Sequence, residues 1–247
     1  MVITSILNEK IKTISKLQKK KYRDIYGKYL VEGEHLVLEA IKAGVCLEIF
    51  LLEGEEYSFK NITYVTKSVM EKLTEMDSAT KMVAVCKKKE FNELVGEKVL
   101  LLDGVQDPGN LGTIIRSSVA FGITDIVLSK DTVDLYNKKV LRATQGMYLN
   151  VNIIRDDLDK VISILKSKNV SIYGTNVNEG IDVTSLESKD KQKYALIMGN
   201  EGQGVSLELQ ALCDKNLYIK MSDNVESLNV GVACSILLYE LGRNNYE

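Results

Sequence analysis

Apolar and polar positions along the first third of the chain change period several times, as they do where short helices and strands alternate. Over residues 8–21, Ile11, Ile14 and Leu17 recur on one side of a lysine-rich stretch, which predicts a basic amphipathic helix with Asn8 at its N-cap. Short apolar runs predict strands over 29–31, 46–52, 62–65 and 82–86. Helical spacing falls over 33–43, where Gly44 can end the helix, and over 68–73. Residues 1–92 therefore read as one compact α/β unit, and the charged stretch 87–98 as a linker.

A different pattern begins at residue 99. Residues 99–102 are continuously apolar, as a strand covered on both faces requires. Further strands are predicted over 125–128, 151–154, 171–175, 195–198 and 217–219, and helices over 111–121, 138–144, 158–168, 207–212 and 229–241. Strands alternating with helices predict a second domain, 97–247, built on a mostly parallel sheet with helices on both faces.

Charge sharpens this division. The net charge is −2, yet residues 1–90 carry 16 Lys and Arg against 13 Asp and Glu, and the remainder 16 against 21. A basic end on an otherwise acidic chain is either an electrostatic footprint for a polyanion or a solvated helix face. No run of 18 apolar residues occurs and the start lacks the pattern of a secretory signal, so a cytoplasmic protein without a membrane span is expected. The single histidine, His35, and four dispersed cysteines, Cys46, Cys86, Cys213 and Cys234, exclude clustered metal ligands and predict buried, reduced thiols. They also leave little scope for Ser-His or Cys-His nucleophilic catalysis.

Three segments carry candidate chemistry, each following a predicted strand or opening the last helix. The first runs from Asp103 to Gly112 and holds the only proline, in the turn Asp107-Pro108-Gly109. Asn110 can cap the helix that follows. Arg116 lies six residues on, about 240° around the helix, and so near a helix N-terminus it calls for an anionic partner or a place in solvent. The second segment, GNEGQG over 199–204, is glycine-rich in a spacing unlike the dinucleotide fingerprint, with the carboxylate of Glu201 at its centre. The third, from Ser227, leads into a helix that is apolar almost all round. Ser227 or Asn229 can cap it, and it needs cover either from its own chain or from a second copy.

Taken together, DPGNLGTIIRSSVAFG (107–122), IMGNEGQG (197–204) and SLNVGVACSILLYE (227–240) resemble the three motifs of the SpoU, or TrmH, family of RNA ribose 2′-O-methyltransferases. YLVEGEHLVLEAIKAG (29–44) and the stretch 65–85 resemble the L30e-like substrate-binding domain that precedes many of these enzymes. LRATQGMYLNVNI (141–153) fits the region between the first two motifs, with Gln145 where the family often has a small residue or Met, and Gly231 stands where serine or alanine is more usual.

The resemblance implies an L30e-like α/β domain followed by a trefoil-knotted α/β domain that binds S-adenosylmethionine on loops 175–178, 199–204 and 219–228. The cofactor contacts it implies are Thr175, Asn176, Gly199, Asn200, Gly202, Ile219, Ser227 and Leu228. It implies Arg116 as general base, or as a clamp on a substrate phosphate, with Asn110 and Glu201 holding Arg116 and the ribose. Ser227 and Asn229 would orient the nucleotide or close the pocket. RNA would meet Lys12, Lys19, Lys20, Lys21, Arg23 and Arg142, and a homodimer would form through the C-terminal domain without any metal. Ribosomal RNA is the first expected substrate and transfer RNA the second. A catalytically silent RNA-binding module and a small-molecule O-methyltransferase are the rival readings.

Overall fold

The computed structural model describes residues 2–74, 80–89, 94, 96–177 and 180–242. Parts of the expected linker (90–93 and 95) and Asn178, the end of the first expected cofactor loop, lie outside the described residues. The chain divides into two compact units, residues 1–90 with 136–149, and residues 91–135 with 150–247.

The first unit opens with β1 (Val2–Ile3) and α1 (Glu9–Ser15), which Asn8 caps by accepting from the Lys10 N–H at 2.9 Å. The continuous helix expected over 8–21 is broken. A 3₁₀ turn over Lys16–Gln18 runs into an extended Lys19 (φ −99°, ψ 133°), and α2 (Lys20–Tyr26) starts afresh. Arg23 explains the break. It turns inward, only 7% exposed, and its Nη1 donates to the carbonyls of Leu17 (3.0 Å) and Gln18 (2.8 Å) where the helical ladder is interrupted. Arg23 thus braces the fold and, unlike the expected lysines, is not an exposed cation.

There follow β2 (Lys28–Glu32), α3 (Glu34–Lys42), β3 (Cys46–Leu52), β4 (Ile62–Val65), α4 (Lys67–Leu73) and β5 (Met82–Lys87). The sheet order is β1-β4-β3-β5-β2, with β5 antiparallel to both of its neighbours and β1, β4 and β3 parallel. Ile11, Leu17, Phe50, Val69, Leu73 and Val83 pack on one face, so the basic helix docks through its apolar side.

The rest of the chain contributes β6 (Lys98–Leu102), α5 (Pro108–Ala120), β7 (Asp125–Leu128), α6 (Lys138–Thr144), β8 (Asn152–Arg155), α7 (Leu158–Ser167), β9 (Ser171–Thr175), β10 (Ile181–Asp182), β11 (Tyr194–Met198), α8 (Leu207–Gln210), β12 (Lys215–Tyr218) and α9 (Val230–Gly242). The seven-stranded sheet has the order β10-β12-β9-β11-β6-β7-β8, and every recorded pairing is parallel. Val99, Leu101, Ala195 and Ile197 at its centre pack against Leu158, Ile162 and Leu165 of α7.

Residues 136–149, α6 included, group with the first unit. Tyr29 and Tyr148 share a hydroxyl hydrogen bond of 2.9 Å, and the Tyr29 and Tyr136 ring centroids lie 4.5 Å apart. Burial pushes the Tyr29 and Tyr148 hydroxyls far above their ordinary pKa, so this contact is between neutral phenols. The turn 145–146 takes two left-handed residues, and a Cβ on Gly146 would come within 2.8 Å of Glu39. All four cysteines are free. Cys86 and Cys234 are buried as expected, whereas Cys46 and Cys213 are only partly so.

Asp125 at the head of β7 is fully buried. It accepts from the Gly96 N–H (2.8 Å), Thr124 Oγ1 (2.8 Å) and Asn152 Nδ2 (2.6 Å). Asp125→Ala strands these donors, and we expect a loss of about 1–3 kcal/mol, read as a lower urea midpoint at unchanged slope.

Candidate functional site

β6 and β11 lie side by side, with Leu102 opposite Met198, so the loops leaving their carboxyl ends start together. Chain order reverses here, since β7 and β8 extend the sheet on one side and β9 and β12 on the other. Open parallel sheets bind ligands at such a crevice.

The two loops are tied by short polar contacts. The Asp103 N–H donates to the Met198 carbonyl (2.9 Å), and the Ser206 N–H donates to Asp103 Oδ2 (2.9 Å). Asn200 Nδ2 donates to the Gly104 carbonyl at 2.8 Å. Asn200 Oδ1 accepts from the N–H groups of Gly202 (2.9 Å) and Gln203 (3.2 Å), closing a tight turn. Backbone bonds of 2.9 Å run both ways between Asn200 and Gly204. The turn is so close that a Cβ on Gly199 would sit 2.0 Å from the Gly204 carbonyl carbon and 2.1 Å from the Val205 nitrogen. Only glycine fits at Gly199.

Glu201 leaves this turn and reaches the first loop, where it accepts from the N–H groups of Gln106 (3.2 Å) and Asp107 (3.0 Å) and from Asn110 Nδ2 (3.0 Å). Partial desolvation pushes its pKa up. The hydrogen bonds from Asn110 and the backbone N–H groups outweigh that and hold the carboxyl below its ordinary value. Asn110 does not cap α5. Asp107 does so, accepting from the Asn110 N–H at 2.8 Å, and this frees the Asn110 side chain for the site. Asn110 Oδ1 accepts in turn from Asn229 Nδ2 (2.9 Å), and Asn229 Oδ1 accepts from the N–H groups of Gly231 (2.9 Å) and Val232 (3.2 Å). Of the two expected caps for the last helix, Asn229 serves.

Helices α5 and α9 pack face to face. Ser117 and Ser235 hydroxyls meet at 2.6 Å, and the Phe121 and Tyr239 rings meet edge-on at 5.8 Å. At Gly231 a Cβ would stand 3.2 Å from the Thr113 Cβ, so the glycine permits this close approach. Arg116 is exposed, three residues beyond Thr113, and makes no hydrogen bond or ion pair with a described residue. Asn110 and Glu201 therefore hold one another, Asn110 also holds Asn229, and neither holds Arg116.

A cavity of about 560 Å³ opens at this edge of the second unit. All eight expected cofactor residues line it, namely Thr175, Asn176, Gly199, Asn200, Gly202, Ile219, Ser227 and Leu228, together with Glu201 and Asn229. Asn110 and Arg116 are not among its lining residues. Gln203 and Met221, inside the expected loops, also line it, and sequence reasoning missed Gln210, Tyr218 and Ala233, which lie outside them. Asp103, which opens the first candidate segment, was given no role in the sequence reading, and here it accepts from the Ser206 N–H.

The expected RNA-facing lysines, Lys12, Lys19, Lys20 and Lys21, are exposed on the first unit, where Lys12 pairs with Glu9 (2.8 Å) and Lys20 with Asp24 (2.8 Å). Arg142 is exposed on α6 and belongs to the same unit. Among the described residues there is no cluster of three potential metal ligands and no helix long and apolar enough to cross a membrane.

Comparison with known proteins adds a lineage. Residues 97–239 match the SpoU rRNA Methylase family, and residues 8–84 match the MRM3-like substrate binding domain. The chain is 38% identical over 245 residues to the 23S rRNA (guanosine(2553)-2'-O)-methyltransferase RlmP of Bacillus subtilis (strain 168), covering 97% of this chain and 98% of that protein. It is 28% identical over 243 residues to a putative TrmH family tRNA/rRNA methyltransferase of Staphylococcus aureus (strain COL), covering 88% and 97%. Among solved structures, the AdoMet-bound rRNA methyltransferase from Sinorhizobium meliloti superposes with a TM-score of 0.87 at 27% identity, covering 100% of this chain and 99% of that one.

Glu201 makes stability depend on pH. Its carboxyl is held below the ordinary 4.5, so its stabilising contribution is complete above that value and is lost as pH falls through the lowered one. Unfolding measured against pH should show a gap between the native chain and Glu201→Gln that is widest near neutrality and closes in acid.

Proposed function

The chain belongs to the SpoU rRNA methylase family, and we propose that it methylates a ribose 2′-hydroxyl of ribosomal RNA with S-adenosylmethionine as donor. The observation that carries this reading is the cavity at the β6–β11 crevice, whose lining includes every residue expected to meet the donor. Its chemistry suits that molecule. Ile219, Leu228 and Leu237 offer apolar wall, the tight turn at Gly199 brings bare backbone to the edge, and its volume lies in the range of small-molecule sites. S-adenosylmethionine supplies an electrophilic methyl group on a positively charged sulfur.

The protein's own task is to hold the sugar and manage its proton. A ribose hydroxyl titrates roughly five units above neutrality, so forming the alkoxide beforehand costs about 7 kcal/mol. Loss of the proton during transfer avoids that cost. Of the two roles open to Arg116, we assign the phosphate clamp. An exposed guanidinium stays protonated, and its charge beside a phosphate favours oxygen that is losing its proton. Asn110 and Glu201 act as positioning residues, because their hydrogen bonds set the loop from which α5 carries Arg116. Ser227 and Asn229 orient the nucleotide at the cavity wall.

The domain bearing Lys12, Lys19, Lys20 and Lys21 grips the RNA, with Arg142 as a further contact, and we place the functional division at residues 1–92 and 97–247, in the gap between the two matched segments. The rRNA named for the Bacillus subtilis relative favours ribosomal over transfer RNA. Family membership also supports a trefoil knot in the second domain and action in the cytoplasm. A homodimer through α9 has further support from Val232 and Tyr239, which are 46% and 47% exposed on that helix.

Mapping ribose methylation in total RNA with and without this protein tests the reading directly, and an unchanged map overturns it. Arg116→Ala should lower turnover about 100-fold or more while calorimetric binding of S-adenosylmethionine stays unchanged. Near-normal turnover removes Arg116 from the mechanism. RNA affinity should fall steeply with salt if the lysines touch phosphate, and a flat profile removes them.

A further inference from the structure

The first unit encloses a second, smaller cavity of about 180 Å³. Leu17 and Leu30 form apolar wall, while Arg23, Glu32, Asn137 and Lys138 bring polar groups to it. Glu32 ends β2, and its Oε2 is buried with no hydrogen-bond partner among the described residues. Buried acceptors left open in this way are uncommon and mark a place where a donor is missing. Arg23 does not supply it through Nη1, which is committed to the Leu17 and Gln18 carbonyls. Burial raises the Glu32 carboxyl above its ordinary pKa, and the charges of Lys138 and Arg142 offset this only in part. The last torsion of a glutamate is soft, so its carboxylate can turn to meet a ligand.

An ionised carboxylate only accepts hydrogen bonds. Its partner must present donors, and two adjacent donors match its two oxygens best. Among the four RNA bases, adenine and cytosine set one amino group beside a ring nitrogen that repels carboxylate oxygen. Uracil sets its single N–H between two carbonyls. Guanine alone places N1–H and the N2 amino group side by side. Proteins read RNA sequence largely through unstacked bases of loops and single strands, recognised by hydrogen bonds along their edges. The exposed Lys19 and Lys21, close in sequence to Gln18 on the cavity wall, suit the flanking phosphates.

We propose that this cavity is a base-recognition site that takes an unstacked guanine of the RNA, with N1–H and N2–H donating to Glu32. The proposal deepens the reading of the chain as an RNA-binding methyltransferase and rests on its RNA-binding half. The test uses the full-length protein and fluorescence anisotropy with two short single-stranded oligouridine probes, one carrying a single guanosine and the other inosine, which lacks the N2 amino group. The native chain should bind the inosine strand on the order of ten-fold more weakly. Glu32→Gln, checked for folding by its thermal transition, should bind both strands alike. Equal binding of the two strands by the native chain overturns the proposal, and this arm needs no variant. A folded Glu32→Gln variant that keeps the preference overturns it equally. Neither outcome involves methyl transfer, so the methylation map fails or succeeds on its own.

Discussion

The parallel pairing of β6 with β11 is the constraint on which the candidate site depends. It puts the ends of two strands, nearly a hundred residues apart in the chain, next to each other in register. Each loop then completes the other. Asn200 satisfies the Gly104 carbonyl, Asp103 satisfies the Ser206 N–H, and Glu201 satisfies the N–H groups of Gln106 and Asp107. Buried or half-buried backbone groups in loops need such partners. Without that pairing, the turn at Gly199 has nothing to close against.

A second dependence follows from the first. Glu201 positions Asn110, Asn110 receives Asn229, and Asn229 caps α9. The helix that supplies part of the cavity wall is thus held through the same polar chain that fixes the start of α5. Small residues let the two helices approach, with Gly231 against Thr113 and Ser235 against Ser117. Arg116 projects from α5 into solvent beside this packed face, without an ion pair to a described residue. The rigid helix fixes where this cation starts from, while its side chain keeps rotamer freedom that an anionic ligand must order on binding.

In the first unit the decisive contacts are also between distant segments. Arg23 ends one helical turn and allows another by occupying carbonyls behind it. Residues 136–149 return to β2 through Tyr29, Tyr136 and Tyr148 and complete a cavity wall that residues 1–90 alone would leave open. The buried Glu32 acceptor owes its environment to both stretches.

The alternation of apolar runs with helical spacing determined the class of each half, because strands buried on both faces and helices with one wet face impose periods that can be read locally. The glycine turn at 199–204, the Asp107-Pro108 turn and the asparagine before the last helix were legible for the same reason, since turn and cap chemistry acts over a few residues. Tertiary structure alone decided the rest. It gave the α5 cap to Asp107 and turned Asn110 towards Glu201, drew Arg23 inside, and assigned 136–149 to the first unit. It also placed Gln210 and Ala233 on the cavity wall and added the two-residue strands β1 and β10, too short to show a period. Each of these outcomes depends on a partner far away in sequence, and a hydrogen bond or packing contact of that kind leaves no periodic trace along the chain.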